Sequence, residues 1–117
     1  MHRGDIWLVR LDPTVGAEIG KTRPVVIVSD DRIGILPLKV VVPITEWQMR
    51  YADRDWMVQL KPSPENGLSK RSAADAFQVS SVSTERFVSK LGRLSEEAMK
   101  AVTLALALVI ALDSKLL

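Results

Sequence analysis

The sequence predicts a small domain of mostly β structure, a twisted and partly closed barrel that is followed by one C-terminal helix. Its 117 residues form a single domain, because this length supports one hydrophobic core and is too short for two. Short β-branched runs separated by turn residues fill most of the chain, and a clear helical pattern comes only at the end. Strands first and one helix last are typical of this β+α architecture.

The first two predicted strands enclose a loop. Residues 6–11 are mostly apolar and are followed by a proline that ends the strand. Residues 12–22 are polar and carry two glycines, so we predict a loop that is long enough to move. Pro24 keeps Arg23 out of the helical region, and the chain continues as a buried strand through residues 25–28.

Further β segments are expected downstream. The β-branched run at residues 40–44 contains Pro43, which suggests an edge strand or a strand end. Weaker strand patterns cover residues 56–60, 70–80 and 87–94, and within the second of these segments residues 73–76 would suit a helix almost as well.

The C-terminal segment carries helix signals. Ser95 is a suitable N-cap, and the acidic pair at residues 96–97 stands in the first turn, where the helix dipole favours negative charge. In residues 101–112 only Thr103 is polar, so we expect a helix buried on more than one side, against the barrel and against a second subunit. A membrane anchor is the alternative, but a spanning helix needs roughly 20 apolar residues and this run is shorter.

Composition restricts the chemistry that the chain can perform. There is no cysteine, which excludes disulfides, thiol catalysis and thiolate-bound zinc. His2 is the only histidine, so a two-histidine mechanism is excluded, and we expect neither a metal site nor a cofactor. The formal net charge of +2 permits a nucleic-acid partner without requiring one. A strand pattern that begins without an apolar signal region predicts a cytoplasmic protein.

Arg23 and Thr45 stand at the ends of predicted strands and are the first catalytic candidates. Metal-free RNA cleavage needs a group that removes the 2′-hydroxyl proton and groups that stabilise the phosphorane and the leaving 5′-oxygen. The Arg23 guanidinium suits the second task, because it stays charged and its donors match phosphate oxygens. An ion pair with Asp5 or Asp12 is the alternative. Thr45 could orient the 2′-hydroxyl or could simply cap a turn.

Other polar residues could move protons or contact RNA. Glu18, in the predicted loop, could accept a proton or remain solvated. Aromatic and basic residues alternate in residues 47–54, where exposed rings could stack on bases and arginines could hold phosphates. Burial of Trp47 is the alternative there. Lys70 and Ser72 combine a cation with a hydroxyl, and a solvated loop is the alternative for them.

A series of short motifs runs in order along nearly the whole chain. The motifs are Gly4-Asp5-Ile6-Trp7, Asp12-Pro13-Thr14, Gly16-Ala17-Glu18, Arg23-Pro24-Val25, Pro43-Ile44-Thr45, Gly67-Leu68-Ser69-Lys70-Arg71-Ser72, Gln78-Val79 and Leu91-Gly92-Arg93-Leu94-Ser95. Each motif alone means little, but the ordered set is specific. In this set the chain resembles the MazF/PemK/Kid family of bacterial toxins.

This resemblance implies the toxin component of a type II toxin–antitoxin system, with an SH3-like barrel, a C-terminal helix and a homodimer. It implies metal-independent, sequence-specific endoribonuclease activity on single-stranded RNA, including mRNA, which inhibits translation and growth. The products would carry 2′,3′-cyclic phosphate and 5′-hydroxyl ends. A cognate MazE-like antitoxin would cover the site with an acidic tail, and no membrane would be involved.

The resemblance also assigns roles to residues. Arg23 matches the catalytic arginine of the family, Thr45 its catalytic threonine, and Glu18 a loop glutamate implicated in some members. Ser72 and Gln78 fall near the RNA groove. The full set of predicted RNA contacts is Lys21, Trp47, Gln48, Arg50, Lys70, Ser72 and Gln78.

The chain departs from the family pattern next to this groove. Many members have an aspartate before the glutamine that Gln78 matches, whereas Phe77 stands there in this chain and Asp75 lies two residues earlier. Residues 30–38 carry no diagnostic motif, so the RNA sequence that is cut is not predicted.

Two other functions stay open at this point. A toxin of the same fold could bind DNA gyrase without cutting RNA, although it would have no need of Arg23, Thr45 and Glu18. A decayed toxin could still bind its antitoxin and no longer cut. RNA cleavage, inhibition of purified gyrase, and peptide binding by a harmless protein would separate the three.

Overall fold

The computed structural model describes residues 1–116 and contains a seven-stranded antiparallel sheet with one α-helix packed on it. The strands are β1 (Asp5–Arg10), β2 (Thr22–Ile27), β3 (Leu38–Glu46), β4 (Met57–Leu60), β5 (Ser72–Asp75), β6 (Ser80–Ser83) and β7 (Phe87–Arg93). The helix α1 spans Glu96–Val109. Mostly β structure with a single C-terminal helix confirms the predicted fold class.

The strand order makes the barrel incomplete. The strands follow each other as β4-β5-β3-β2-β1-β7, and β6 pairs with the first part of β3. β4 and β7 are the two ends of this path, so the sheet curls without closing. The two strands that flank the predicted loop, β1 and β2, are direct neighbours, with Val9 opposite Arg23.

The expectation for Pro43 is wrong, because this residue lies inside a nine-residue central strand. β3 pairs with β6 as far as Val41 and with β5 from Ile44 onward. Pro43 falls in the gap between these two partners. A strand position without a ladder partner on one side tolerates the missing N–H donor.

Alternating side chains divide the apolar residues of β2 between two cores. Val26 packs with Val102 of α1 on one face of the sheet. Val25 and Ile27 pack with Val82 on the other face. All of these residues except Val82 are fully buried. The second strand is therefore buried on both faces, as its unbroken β-branched sequence predicts.

The segment predicted at residues 70–80 contains two strands and a turn. β5 ends at Asp75, whose carboxylate accepts a hydrogen bond from the Phe77 backbone N–H at 3.1 Å. This side-chain cap begins a 3₁₀ turn at Ala76–Gln78, after which β6 starts. The strand prediction is therefore confirmed for residues 72–75 and 80, and the helical alternative is wrong for residues 73–75, which lie in β5.

The C-terminal helix begins as predicted and ends early. The Ser95 hydroxyl accepts a hydrogen bond from the Ala98 N–H at 3.1 Å, which confirms the N-cap. The helix stops at Val109, and Ala111 has a φ of 54°, in the left-handed region. Residues 110–112 therefore lie outside the helix.

Only one side of α1 is buried within this chain. Val102 and Ala105 face the sheet, whereas Leu104 is 71% exposed and Leu108 is 53% exposed. The expected burial on a second side would require another molecule. Within the described residues, no helix reaches the length and apolar character that crossing a membrane demands.

Candidate active site

Arg23 and Thr45 lie beside each other at the ends of paired strands. β2 and β3 run antiparallel, and their last aligned pair on this side is Val25 opposite Pro43. Arg23 and Thr45 are each two residues from that pair and share its face of the sheet, because side chains alternate along a strand. Both line one cleft of about 320 Å³, which we call the arginine cleft. The fold thus brings together the two main catalytic candidates.

The Arg23 guanidinium has no carboxylate partner within residues 1–116. Its Nε donates to the Gly20 carbonyl at 3.4 Å, which ties the half-buried side chain to the end of the loop. The alternative of an ion pair with Asp5 or Asp12 is wrong, since the ion pairs of the described chain do not include Arg23. The remaining donors of its fork are not engaged by a protein group among the described residues and stay open to an anion.

Asp5 forms its contacts with the N-terminus and with β7, not with Arg23. Its buried carboxylate accepts hydrogen bonds from the His2 backbone N–H at 2.9 Å and from Arg93 at 3.2 Å, and Lys90 lies 3.5 Å away. Burial alone would raise the pKa of the Asp5 carboxyl, but the His2 N–H and the nearby cations hold the pKa below its ordinary value. Asp5 is therefore an ionised group that joins the N-terminus to β7.

Thr45 is half-buried near the end of β3. It pairs with Ala73 of β5, so the alternative in which it caps a turn is wrong. Among the described residues, no protein group forms a hydrogen bond with its side-chain hydroxyl. The hydroxyl is thus not engaged by another group of the described chain.

The arginine cleft holds a second cation. Lys70 lines it and forms an ion pair with Glu46, with the Nζ and carboxylate oxygen 3.3 Å apart and both side chains exposed. Ser72 lines the same cleft, but it is buried and its hydroxyl donates to the Lys70 carbonyl at 2.9 Å. Ser72 therefore shapes the backbone beneath Lys70, and its hydroxyl is already engaged.

Glu18 lies outside the arginine cleft. Its carboxylate accepts a hydrogen bond from the Val15 backbone N–H at 2.6 Å, which closes a turn within the loop. The residue lines a separate cleft of about 610 Å³, which we call the loop cleft. Glu18 therefore lines a different cleft from Arg23 and Thr45.

Gln78 anchors the loop that carries Glu18. Its Oε1 accepts a hydrogen bond from the Ile19 N–H at 2.6 Å, and its Nε2 donates to the Ala17 carbonyl at 3.3 Å. The same Nε2 donates to Asp75 at 3.3 Å. Gln78 thus connects the loop to β5, a structural contact that its place near a groove did not predict.

Asp75 supports Gln78 from the protein interior. It is 7% exposed. Burial raises the pKa of its carboxyl, although the Phe77 N–H, Gln78 and the charge of Arg54 act in the opposite direction. Protonation of Asp75 would remove an acceptor from the Gln78 amide. The position of Gln78, and with it the anchoring of the loop, therefore depends on whether Asp75 is ionised.

The aromatic and basic segment forms a small core of its own. Trp47 packs against Tyr51, Met57 and Ala73, and its ring meets Tyr51 edge-on with the centroids 5.9 Å apart. The indole N–H is buried and has no hydrogen-bond partner in the described residues. These contacts favour the burial alternative for Trp47 over a stacking surface.

The remaining predicted RNA contacts are on the surface. Arg50 is exposed and lies over the Tyr51 ring, 5.4 Å from its centroid, and Gln48 is exposed beside it. Lys21 is exposed in the loop with a φ of 63°, and its carbonyl accepts a hydrogen bond from the Leu11 N–H at 2.8 Å. All three can meet a bound strand, although none lines the arginine cleft.

The loop cleft itself was missed by sequence reasoning. Its polar lining includes Thr14, Glu18, Gln78, Ser80, Ser81, Ser83 and Arg86. The run of serines in β6 was the available signal, but a serine-rich strand alone does not indicate a cavity. No group of three or more His, Cys, Asp or Glu residues in the described part of the chain is placed to hold a metal ion.

Comparisons with known proteins agree with this architecture. Residues 2–110 match the family model described as PemK-like, MazF-like toxin of type II toxin–antitoxin system. The chain is 34% identical over 114 residues to endoribonuclease MazF9 of Mycobacterium tuberculosis, covering 92% of this chain and 94% of that protein. It is 31% identical over 114 residues to endoribonuclease EndoA of Bacillus subtilis, covering 96% of each.

A solved structure has the same fold. An endoribonuclease in complex with its cognate antitoxin, from a mycobacterial species, aligns with a TM-score of 0.76 at 20% identity and covers 97% of each chain.

Proposed function

The chain belongs to the family of PemK-like, MazF-like toxins of type II toxin–antitoxin systems, and we propose that it is a cytoplasmic endoribonuclease that cleaves single-stranded RNA without a metal ion. The observation that carries the proposal is the Arg23 guanidinium without a carboxylate partner beside the available Thr45 hydroxyl, in one cleft. Relatives named endoribonucleases, matched over nearly their full length, support it.

The proposed reaction transfers the scissile phosphate to the neighbouring 2′-hydroxyl. A bond forms between the 2′-oxygen and phosphorus while the bond from phosphorus to the 5′-oxygen breaks, which leaves a 2′,3′-cyclic phosphate and a 5′-hydroxyl. The 2′-hydroxyl loses a proton and the 5′-oxygen gains one. Arg23 would stabilise the negative phosphorane oxygens, with Lys70 as a second cation, and Thr45 would orient the 2′-hydroxyl.

The route of the proton depends on the loop. Arg23, which stays charged, would hydrogen-bond the leaving 5′-oxygen, and that oxygen would take its proton from water. Glu18 could accept the proton of the 2′-hydroxyl only after releasing the Val15 N–H that it holds at 2.6 Å. In this scheme RNA binding would rearrange residues 12–22, the segment that Gln78 anchors.

The direct test incubates the purified protein with a long RNA of mixed sequence in the presence of EDTA and maps the product ends. We expect discrete cuts with 5′-hydroxyl ends, because the proposed groups need no metal ion. Intact RNA, with the folded state confirmed, would contradict the proposal. Inhibition of purified gyrase while RNA stays intact would favour the gyrase-binding alternative.

An antitoxin with an acidic tail is the proposed protein partner. Carboxylates can use the same donors of Arg23 and Lys70 that a phosphate would use. The mycobacterial structure with the same fold is a complex with an antitoxin. An acidic peptide is expected to inhibit cleavage competitively, and less strongly at high ionic strength. Inhibition that is independent of salt would contradict this mode of binding.

A homodimer is the proposed assembly. Leu104 and Leu108 present an exposed apolar strip on α1 that water would cover in a monomer. Light scattering at micromolar concentration is expected to give twice the chain mass of 13.0 kDa, which is 26 kDa. A mass of 13.0 kDa under these conditions would contradict the proposal.

A further inference from the structure

Phe77 presents an aromatic ring to solvent from a fixed backbone. The side chain is 69% exposed, whereas the preceding residue, Ala76, is fully buried. The Asp75 carboxylate holds the Phe77 N–H at 3.1 Å, and this cap fixes the 3₁₀ turn. Trp56 supports the ring edge-on, with the centroids 6.2 Å apart and the planes at 64°. Most of the ring surface is therefore exposed, while the capped turn and Trp56 fix the position of the ring.

Phe77 is one of the residues that line the loop cleft. Ser80 and Ser81, which follow on β6, line the same cleft, and no hydrogen bond within residues 1–116 involves their hydroxyls. An apolar ring together with hydroxyl donors and acceptors matches the two aspects of a nucleobase, its face and its polar edge.

The loop cleft adjoins the arginine cleft. Pro43 lines the loop cleft and Thr45 lines the arginine cleft, and the two residues are about 7 Å apart along one face of β3. The loop also connects the two clefts. Gln78, next to Phe77, holds the Ile19 N–H, and the following residue, Gly20, accepts the hydrogen bond from Arg23. A strand with its phosphate at Arg23 can therefore extend toward Phe77.

We propose that Phe77 is a stacking platform for one unpaired base close to the scissile phosphate, and that it contributes to the choice of RNA sequence. This inference rests on the proposed RNA cleavage. It assigns a role to the residue at which the chain departs from the aspartate found in many related toxins. An aromatic ring stacks on a base, whereas a carboxylate would accept hydrogen bonds from its edge, so the base preference here should differ.

Charge in the loop cleft favours a base over an acidic peptide. Its cation, Arg86, already donates to the backbone carbonyls of Asp12 at 2.7 Å and Arg10 at 3.1 Å. The Glu18 carboxylate lines the same cleft and would repel an acidic chain. The Arg23 and Lys70 cations, which an acidic tail would seek, lie in the other cleft.

The test compares the wild-type protein with Phe77→Ala and Phe77→Trp on a short RNA that the wild type cuts. Phe77→Ala is expected to lower kcat/KM by about 5- to 150-fold, the usual effect of removing one stacking partner. Phe77→Trp should retain activity, because it keeps an aromatic face. Val88→Ala, at a 50% exposed position on β7, is a matched surface control and should change nothing.

Abasic substitutions identify the base. Removing one base near the cut should slow the wild type by the same factor as Phe77→Ala and should slow Phe77→Ala no further. The inference would be overturned if the abasic substitution and Phe77→Ala had additive effects on the cleavage rate at every position. It would also be overturned if Phe77→Ala cut RNA at the wild-type rate. So would a Phe77→Ala protein that binds an acidic peptide more weakly yet cuts RNA normally, because the occupant would then be a peptide.

Binding measurements separate this inference from the proposed function. A substrate with 2-aminopurine at the stacked position should be quenched by the wild type and not by Phe77→Ala. If the wild type failed to cut any RNA, the proposed function would fail. Quenching in that case would still support a base at Phe77, and its absence would overturn the inference as well.

Discussion

Replacing Arg23 with alanine is expected to lower the rate of RNA cleavage by about 10²- to 10⁴-fold while the protein stays folded. Cleavage places additional negative charge on the phosphorane oxygens. Arg23 lies next to Thr45 in the arginine cleft, and its guanidinium has no carboxylate partner within the described residues. The folded state should lose little, because the side chain makes one long hydrogen bond to Gly20, at 3.4 Å. Single-turnover cleavage rates and thermal melts measure the two effects.

Two further arginine variants sharpen this result. Arg23→Lys keeps the charge and loses the planar fork, so its rate should fall between those of the wild type and Arg23→Ala. Arg32→Ala removes an exposed arginine that pairs with Asp30 at 2.6 Å and lines neither cleft, so it should cleave normally. An Arg23→Ala protein that cuts at the wild-type rate would remove Arg23 from the mechanism.

The sequence predicts the strands well because burial on each face follows local alternation. Val25 and Val26 belong to different cores, and the period of two in a strand is enough to anticipate this. The place of Pro43 is different. Its tolerance within β3 depends on β6 ending and β5 beginning at that point, which is a property of distant segments. Local residue preferences do not contain that information.

The helix, too, is predicted only as far as local signals allow. Ser95 and the acidic first turn predict where α1 begins, because capping is local. The apolar run continues past Val109, so composition gives no sign of the end of the helix, which the structure places before the left-handed Ala111.

The candidate site is predictable in part. Arg23 and Thr45 follow from their places at strand ends, and the β2–β3 register brings them together. The loop cleft depends on contacts between Gln78 and the backbone around Ile19, which are remote in sequence. No local pattern encodes such a contact, so the anchoring of the loop by Gln78 could not be predicted, and the RNA contact assigned to Gln78 stays a prediction.

Replacing Gly92 with alanine is expected to destabilise the fold by about 3 kcal/mol or more, a large share of the total stability of a domain of this size. β7 passes so close to the turn at residues 65–67 that a Cβ at Gly92 would lie 2.6 Å from the Asn66 carbonyl carbon. The obstacle is backbone, which cannot rotate away. The Arg93 N–H donates to the Glu65 carbonyl at 2.8 Å, so separating the two segments would also break this bond.

Urea denaturation measures this loss, with Gly34→Ala as the matched control. A Cβ at Gly34 meets the Asp31 carbonyl at 3.3 Å in an exposed loop, and we expect a change within about 0.5 kcal/mol there. Because the turn at residues 65–67 leads into Leu68 and Lys70 of the arginine cleft, partly folded Gly92→Ala should also cleave RNA more slowly. A Gly92→Ala protein with the wild-type urea midpoint would show that β7 and this turn can separate at little cost in free energy, and that the wall of the arginine cleft does not depend on their contact.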